Sequence, residues 1–515
     1  MSERGGPSLA GRVPGGLWVV VPALVVLGLL WFLRPWLQGL VYAVYTTPAL
    51  VLPLAAAAVP FLAFGRDTST STINAAGTLF VVTLVVTSGA TGLFAGETLG
   101  TATLDGAETA TGLDESDPAN PRVVTRQVAS RYASNTLNFP QYRVTNSDVT
   151  VYNGSVYWSY ALSPDGLWNH FTKRQHGTVL VDMAEQNADV RTITGDMAAG
   201  MGTAFYNNHR WRTLKQGQYL VNYHDSFMVV HEGEQYIATP YTSPEFHWLP
   251  VPYTTPTWGG VALVDSDGTV RDLTPEEAQN SEVLAGQRLY PFSLARDRVA
   301  ATKYRNGIVN TFTSHEGEIE VAPVPGEGND QPFYLQTEDG PKYVVAVEPY
   351  GEAQGLREVW TVDARTGAHE RYSPNASLFG PRKATDYVRQ AARTTDWNRF
   401  QPSEPIPVVV DGQLYWEVRV VPEDGSGISY VAFVNARTSD VTEVETTPQV
   451  RQFMRGEPPT ETEPRPADGD EPALIVRRVA PNGTVLDEMA VYGNESVSVV
   501  SGNGSDAVAP RGGDD

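Results

Sequence analysis

Histidines, carboxylates and a few serines are the residue types in this chain that could do chemistry, and their spacing limits what kind. Five of the eight histidines (His170, His176, His209, His224 and His231) fall between positions 170 and 231. None forms an HExxH pair or another close ligand spacing of the sort a zinc centre uses. His224-Asp225 and His231-Glu232 set a carboxylate beside an imidazole, but adjacent residues on a strand face opposite sides. Ser226 follows His224-Asp225, which brings the three residue types of an acyl-transfer triad together without the G-x-S-x-G elbow. Asp265-Ser266-Asp267-Gly268 and Asp424-Gly425-Ser426-Gly427 are oxygen-rich turns, yet neither carries the twelfth-position acid of an EF-hand. The Gly195–Gly202 stretch lacks the Lys-Ser/Thr of a phosphate loop. No catalytic residue, metal or cofactor is expected. Carboxylates are too many for a glycosidase pair to be singled out.

The densest aromatic segment, Tyr236–Trp258, alternates rings with prolines. Such segments form grooves for peptides or glycans. Tyr241, Phe246, Trp248, Tyr253 and Trp258 are therefore the expected binding surface, against the plainer alternative of an insertion packed over a sheet.

The elements that must position these residues divide sharply along the chain. Three apolar stretches, Leu17–Leu33, about Leu40–Phe64 and about Ala75–Ala95, are expected to be membrane helices, and the remainder is polar. Arg4, Arg12 and Arg66 oppose Arg34 in the count of flanking basic residues, which places the N-terminus in the cytoplasm and the large C-terminal region outside. The x-Ser/Thr sequons at Asn153, Asn375, Asn482, Asn494 and Asn503 agree with that side. None of the three stretches carries a charge of the kind that marks a transport path.

Net charge is −22, with only five lysines among the 37 basic residues. Dense carboxylates of this kind stay hydrated at high salt, the surface of a halophilic protein, and repel nucleic acid. Cysteine is absent, so the body must hold together by packing.

A turn, an aromatic-bearing strand and a second strand ending in a turn recur four times: Val149–Met183, Phe227–Leu273, Phe333–Tyr372 and Ile406–Glu445. Asn153-Gly154, Asp339-Gly340 and Asp411-Gly412 supply the turns, and Tyr157, Tyr236, Tyr343 and Tyr415 recur at matching positions. Helical patterns precede three copies, at Thr125–Tyr132, Phe292–Tyr304 and Arg382–Arg393. Helix, then DG-x-x-YW strand, then a strand ending VDARTG or VNARTSD resembles the PepSY-type repeat, most closely at Lys383–Glu445. Over roughly residues 15–450 the chain resembles prokaryotic, haloarchaeal-type membrane proteins with a PepSY-like repeat ectodomain.

The expected fold is thus α+β: three transmembrane helices, then a β-rich ectodomain of tandem helix-plus-antiparallel-sheet units. The segments are a cytoplasmic tail (1–16), the anchor (17–95), an acidic linker (96–121) and units 1 and 2 (122–285). Unit 3 (286–376), unit 4 (377–450), a Pro/Glu linker (451–471), a small β unit (472–500) and a disordered tail (501–515) complete the chain. The resemblance implies association with proteases and brings no catalytic residues. The expected function is a membrane-anchored extracellular interaction or scaffold protein, with lipid and envelope proteins as partners and no nucleic acid. The alternatives are a PepSY-type modulator of an envelope protease and an envelope-polymer hydrolase.

Overall fold

Apolar residues in unbroken runs make the first elements helical. The computed structural model describes residues 17–63, 69–187, 189–324, 331–353, 355–392, 394–459, 474–479 and 485–491. Helix α1 spans Leu17–Tyr45, α2 spans Val51–Ala63, and α3 spans Thr70–Gly106, capped by Ser69. Among the described residues, α1 and α3 are long and apolar enough to cross a membrane.

The expected spans are redrawn by this arrangement. α1 runs unbroken through Arg34-Pro35-Trp36, where a loop is expected, and takes in the start of the second stretch. The polar residues there have partners that a lipid-exposed helix would lack: Arg34 donates to Tyr219 O at 2.6 Å and Gln38 to Val221 O at 2.9 Å. What remains of the second stretch is α2, 13 residues or about 20 Å, short of a ~30 Å hydrocarbon core. Arg4, Arg12 and Arg66 lie outside the described residues.

α3 has 37 residues, about 55 Å, so it outruns the bilayer thickness and its last turns enter the body. Glycine makes the approach close: a Cβ on Gly100 would stand 2.2 Å from Ala301 O, and one on Gly96 would stand 2.4 Å from the Tyr304 ring. Residues 96–121, expected as an acidic linker, complete α3 as far as Gly106 and are then laid onto the body. Glu108–Ala110 pairs in parallel with Glu370–Tyr372, Ser116 bridges Thr337, and Asp114 is ion-paired with Lys342. An acidic run stays solvated only where no cation meets it, and here one of the few lysines does.

Four larger sheets follow, each built on an antiparallel four-strand meander behind a helix, and the third is extended by the parallel strand Glu108–Ala110. Helix α4 (Arg126–Asn135) leads into sheet I: Tyr142–Tyr152, Ser155–Pro164, Gln175–Asp182 and Val190–Met197, with α5 (Leu167–Thr172) inserted. Helix α6 (His209–Gln216) leads into sheet II: an interrupted first strand (Asn222–Tyr223, Phe227–His231), then Glu234–His247, Tyr253–Val264 and Val270–Leu273. Helices α7 (Pro275–Gln279) and α8 (Phe292–Ala301) lead into sheet III: Ile319–Val321 with Phe333–Thr337, then Gly340–Pro349, Glu358–Asp363 and His369–Tyr372. Helix α9 (Pro381–Ala391) leads into sheet IV: Phe400–Val410, Gln413–Pro422, Tyr430–Asn435 and Val441–Val444, closed by α10 (Thr447–Met454).

The three expected helices are α4, α8 and α9. On α9, Ala384 and Val388 are buried as its three-four spacing requires, whereas Ala391 is exposed and Ala392 takes its place. α6 was not expected; its marks are an Asn208 cap and the i,i+3 pair Trp211 and Leu214, both buried.

Packing between faces joins the sheets. Ala161, Met197 and Met201 of the sheet I unit meet Met228, Ile237 and Val264 of sheet II. Val344, Ala346 and Val359 of sheet III meet Trp416, Val418 and Ala432 of sheet IV. Trp158 and Leu162, Tyr343 and Trp360, and Val408 and Phe433 bring sheets I, III and IV into one cluster. Burying side chains of this size stabilises by about 1.5–3 kcal/mol each. Residues up to Pro459 form one compact unit and Thr460–Asp515 a second. In the second unit Leu474–Val479 pairs antiparallel with Val485–Val491. Residues 480–484 between these strands lie outside the described residues.

Candidate ligand-binding cavity

The first strand of every sheet is broken at the same place. In sheet I the pairing jumps from Thr145↔Ala161 to Asp148↔Ser159, so Asn146 and Ser147 face Tyr160 alone. In sheet IV it jumps from Ser403↔Arg419 to Ile406↔Glu417, so Glu404 and Pro405 face Val418 alone. In sheet II residues 224–226 face two residues, between Tyr223↔Tyr241 and Phe227↔Ala238. In sheet III the pairing stops at Val321↔Val347 and resumes at Phe333↔Val344. A bulge turns side chains out of the ladder and re-aims them. Asn146 and Glu404 accordingly sit at positive φ, 53° and 45°, a conformation that costs a non-glycine residue about 1–3 kcal/mol.

All four breaks open onto one cavity of about 430 Å³, lined from Asn146–Val149, His224–Ser226, Pro332–Tyr334 and Glu404, with Arg122, Arg126, Arg210 and Arg288 around them. The sheets therefore surround this cavity with their first strands innermost.

Arg288 is placed by its neighbour Gln287, whose side chain pairs with the open edge of sheet I at Val151 N (3.0 Å) and Val151 O (2.6 Å). Leu289 and Tyr290 N–H groups both donate to Ala364 O, tying the same segment to sheet III. The buried Arg288 guanidinium pairs with Asp148 and lies over the Phe227 ring at 4.4 Å. Its Nε has no hydrogen-bond partner. Burial raises the Asp148 carboxyl, and Arg288 opposes the rise.

Glu404 is held in its strained conformation from three sides. Its carboxylate accepts from Arg122 and from the Arg126 N–H, each at 3.0 Å. Its carbonyl accepts from Arg419 at 2.7 Å, itself fully buried beside Glu417. A carboxylate on the Arg126 N–H occupies the N-terminus of α4, where the helix dipole favours negative charge. The N-terminus of α8 also reaches the cavity, through Pro291, Phe292 and Ser293, and has no side-chain cap. Arg126 and Arg210 stand exposed at the rim, and neither has a carboxylate partner among the described residues.

The His224-Asp225-Ser226 run does lie in the cavity wall, but its members are not bonded as a triad. His224 uses both ring nitrogens, on Ser293 (2.8 Å) and Thr242 (3.0 Å). Burial, with Arg288 adding to it, lowers His224 to about 4 against the pull of Asp225, so the ring is neutral at pH 7. Ser226 is bonded by His209 instead, at 3.0 Å, and by Thr239 at 2.8 Å. His209, lowered to about 4 by burial and then by Arg210, turns its other nitrogen to Gly200 O rather than to a carboxylate.

The expected aromatic surface is dispersed. Tyr241 and Tyr253 are buried, the first donating to Asp272 at 2.8 Å. Trp258 packs on Tyr290 at 5.7 Å. Phe246 and exposed Trp248 stack at the hairpin tip, 6.2 Å apart, away from the cavity. The Asp265 and Asp424 carboxylates accept from Thr269 N (2.8 Å) and Ser426 N (3.0 Å), which closes their own turns. No group of three or more metal-ligating side chains occurs among the described residues. Met197, Ala199 and Met201 of the glycine-rich stretch are core residues. Of the sequons, Asn153 and Asn375 are exposed; Asn482, Asn494 and Asn503 lie outside the described residues.

No family model matches the chain, and no curated protein matches it. Two solved structures align weakly. A putative glycosidase from Bacteroides thetaiotaomicron is 10% identical over 59% of this chain and 72% of its own, with a TM-score of 0.18. The GH43_1 enzyme from Xanthomonas citri complexed with xylotriose is 13% identical over 62% and 92%, with a TM-score of 0.20. At such scores neither likeness carries a statement about fold or activity.

Proposed function

We propose that this chain is a membrane-attached binding protein whose body captures, in its central cavity, a polar ligand or partner group bearing a carboxylate or phosphate. One observation carries the reading: four arginines from three segments (Arg122 with Arg126, Arg210, and Arg288) meet three acids at one cavity, in a chain of net charge −22. Two of the four have no carboxylate partner among the described residues, a buried Arg288 Nε is unmatched, and an uncapped helix N-terminus faces the same space. Guanidinium groups and helix N-termini are the usual recognition elements for planar anions. The polar ring includes Tyr334 and Trp158, which suits a ligand with a flat or sugar-like body. We further place the body outside the cell with the N-terminus in the cytoplasm, which requires α2 to complete a third crossing between α1 and α3 through a locally thinned bilayer; external protease should cut the body on intact cells. The helix-plus-meander recurrence supports PepSY-like units, and under that reading the anionic group belongs to an envelope protein.

The test is thermal unfolding of the full chain in lipid nanodiscs with phosphate, succinate, glucuronate or neutral glucose. At least one anion should raise Tm, glucose should not, and Arg126→Gln with Arg210→Gln should weaken the response about tenfold or more. No shift with any anion, or an undiminished shift in the variant, would defeat the reading. A hydrolase reading draws on Asp148, Asp225 and Glu404 lining one cavity. Two of them are tied up by arginine, which leaves Asp225 as its base, so glycan turnover abolished by Asp225→Asn is what it requires.

A further inference from the structure

Three loop tips of the body carry large apolar side chains into solvent. They are Leu167 and Trp168 on α5, Trp248 and Leu249 at the sheet II hairpin, and Val309 and Phe312 on a 3-10 turn; each side chain is between 66% and 83% exposed. The tips are far apart in sequence, yet each sits beside one of the apolar helices where it meets the body. Phe171 of α5 packs on Phe205 at 5.6 Å, and Phe205 on Phe32 and Trp36 of α1 at 5.9 and 5.4 Å. Trp248 stacks on Phe246, which packs on Tyr45 at the end of α1 at 5.2 Å. The 3-10 turns at Thr302–Asn306 and Ile308–Phe312 lie against α3, where the Tyr304 ring covers Gly96.

Charge gathers beside the same helices independently. Of the five lysines, Lys173 directly follows α5, Lys303 lies in the 3-10 turn beside α3, and Lys215 of α6 lies over the Trp31 ring of α1 at 3.6 Å. An acidic chain thus spends three of its five lysines where its apolar helices leave the body. Tryptophan and phenylalanine with flanking lysine suit the headgroup boundary, where the ring is buried and the ammonium reaches lipid phosphate.

We propose that the three tips share one face of the body and that this face lies on the bilayer, with the tips inserted at the headgroup level and the lysines on anionic lipid. The body is then held at fixed height and tilt rather than swinging from its helices. The proposal rests on α1 and α3 crossing that bilayer, and the experiment separates the two claims. The chain has no cysteine, so single changes Trp168→Cys, Trp248→Cys and Phe312→Cys each give one labelling site. Val85→Cys on the exposed flank of α3 and Ser426→Cys in the turn beside α4 serve as controls. Each labelled full-length protein is reconstituted in vesicles of phosphatidylcholine and phosphatidylglycerol. Quenching is then read with lipids carrying a nitroxide at the headgroup or deep in the acyl chain. Headgroup quencher should dim all three tip labels severalfold more than Ser426, and deep quencher should dim Val85. Tips no more quenched than Ser426, with Val85 quenched, would overturn the docked face alone. Val85 unquenched as well would overturn the spanning reading with it.

Discussion

At the residue scale, two buried charges give opposite signatures. Glu348, 3% exposed in sheet III, is raised to about 7 by burial first and by Glu320 across the strand pair, against Arg382 and Lys383. One of its carboxylate oxygens has no hydrogen-bond partner. Its proton is held more tightly folded than unfolded, so its stabilising contribution is complete below the ordinary carboxyl range and is lost as pH rises through about 7. Glu348→Gln should therefore raise stability at pH 8 by about 1–3 kcal/mol and leave it unchanged at pH 4, read as Tm against pH. An equal gain at both pH values would contradict this. Arg288 and Asp148 behave as a unit. Arg288→Met strands a buried carboxylate and should cost about 3–5 kcal/mol, and adding Asp148→Asn should recover a good part of it in the same melt. These residues carry no mark in the sequence: Asp148 and Arg288 lie 140 positions apart, and Arg122 and Glu404 lie 282 apart. His224, Asp225 and Ser226 do stand out there, but for a triad that their hydrogen bonds do not form.

At the element scale, alternation and turn chemistry were legible. Tyr157, Tyr236, Tyr343 and Tyr415 all fall on second strands opposite first strands, as their recurrence requires. Asn153 and Asp411 take the positive φ that their Asn-Gly and Asp-Gly turns imply. The bulges were not legible: in sheet I the bulge shifts the phase of the alternation by one residue, and the polar run Thr145-Asn146-Ser147-Asp148 between Val144 and Val149 hides that shift. At Asn146 the left-handed backbone is the strained point. Asn146→Gly should hold or slightly raise stability, whereas Asn146→Val should lower it by about 1–3 kcal/mol and weaken anion binding, both measured by chemical denaturation. α3 offers a paired test of close packing. Gly100→Ala meets the Ala301 carbonyl and should destabilise by about 1–3 kcal/mol. Gly92→Ala, with open space around it, should not destabilise.

At the scale of the whole molecule, the division between apolar helices and acidic body was plain from the sequence. Which helix segments stay in lipid was not, because it depends on what the body offers them. Arg34 and Gln38 read as loop residues until Tyr219 and Val221 supply carbonyls, and α3 reads as ending near Ala95 until its glycines let Tyr304 and Ala301 in. The central cavity is also close to this junction. His224 lines both it and a second cavity of about 250 Å³ that includes Tyr42 and Thr46. Arg210 at the rim is on α6, the helix that receives α1. On the proposed reading, ligand capture takes place near the face of the body proposed to lie on the bilayer. The most direct test is a crystal of the full chain grown with selenate, located by its anomalous signal. The expected result is a peak in the central cavity within hydrogen-bond reach of Arg288, Arg126 or Arg210. A well-ordered crystal with selenate bound only elsewhere would contradict the assignment of this cavity as the binding site.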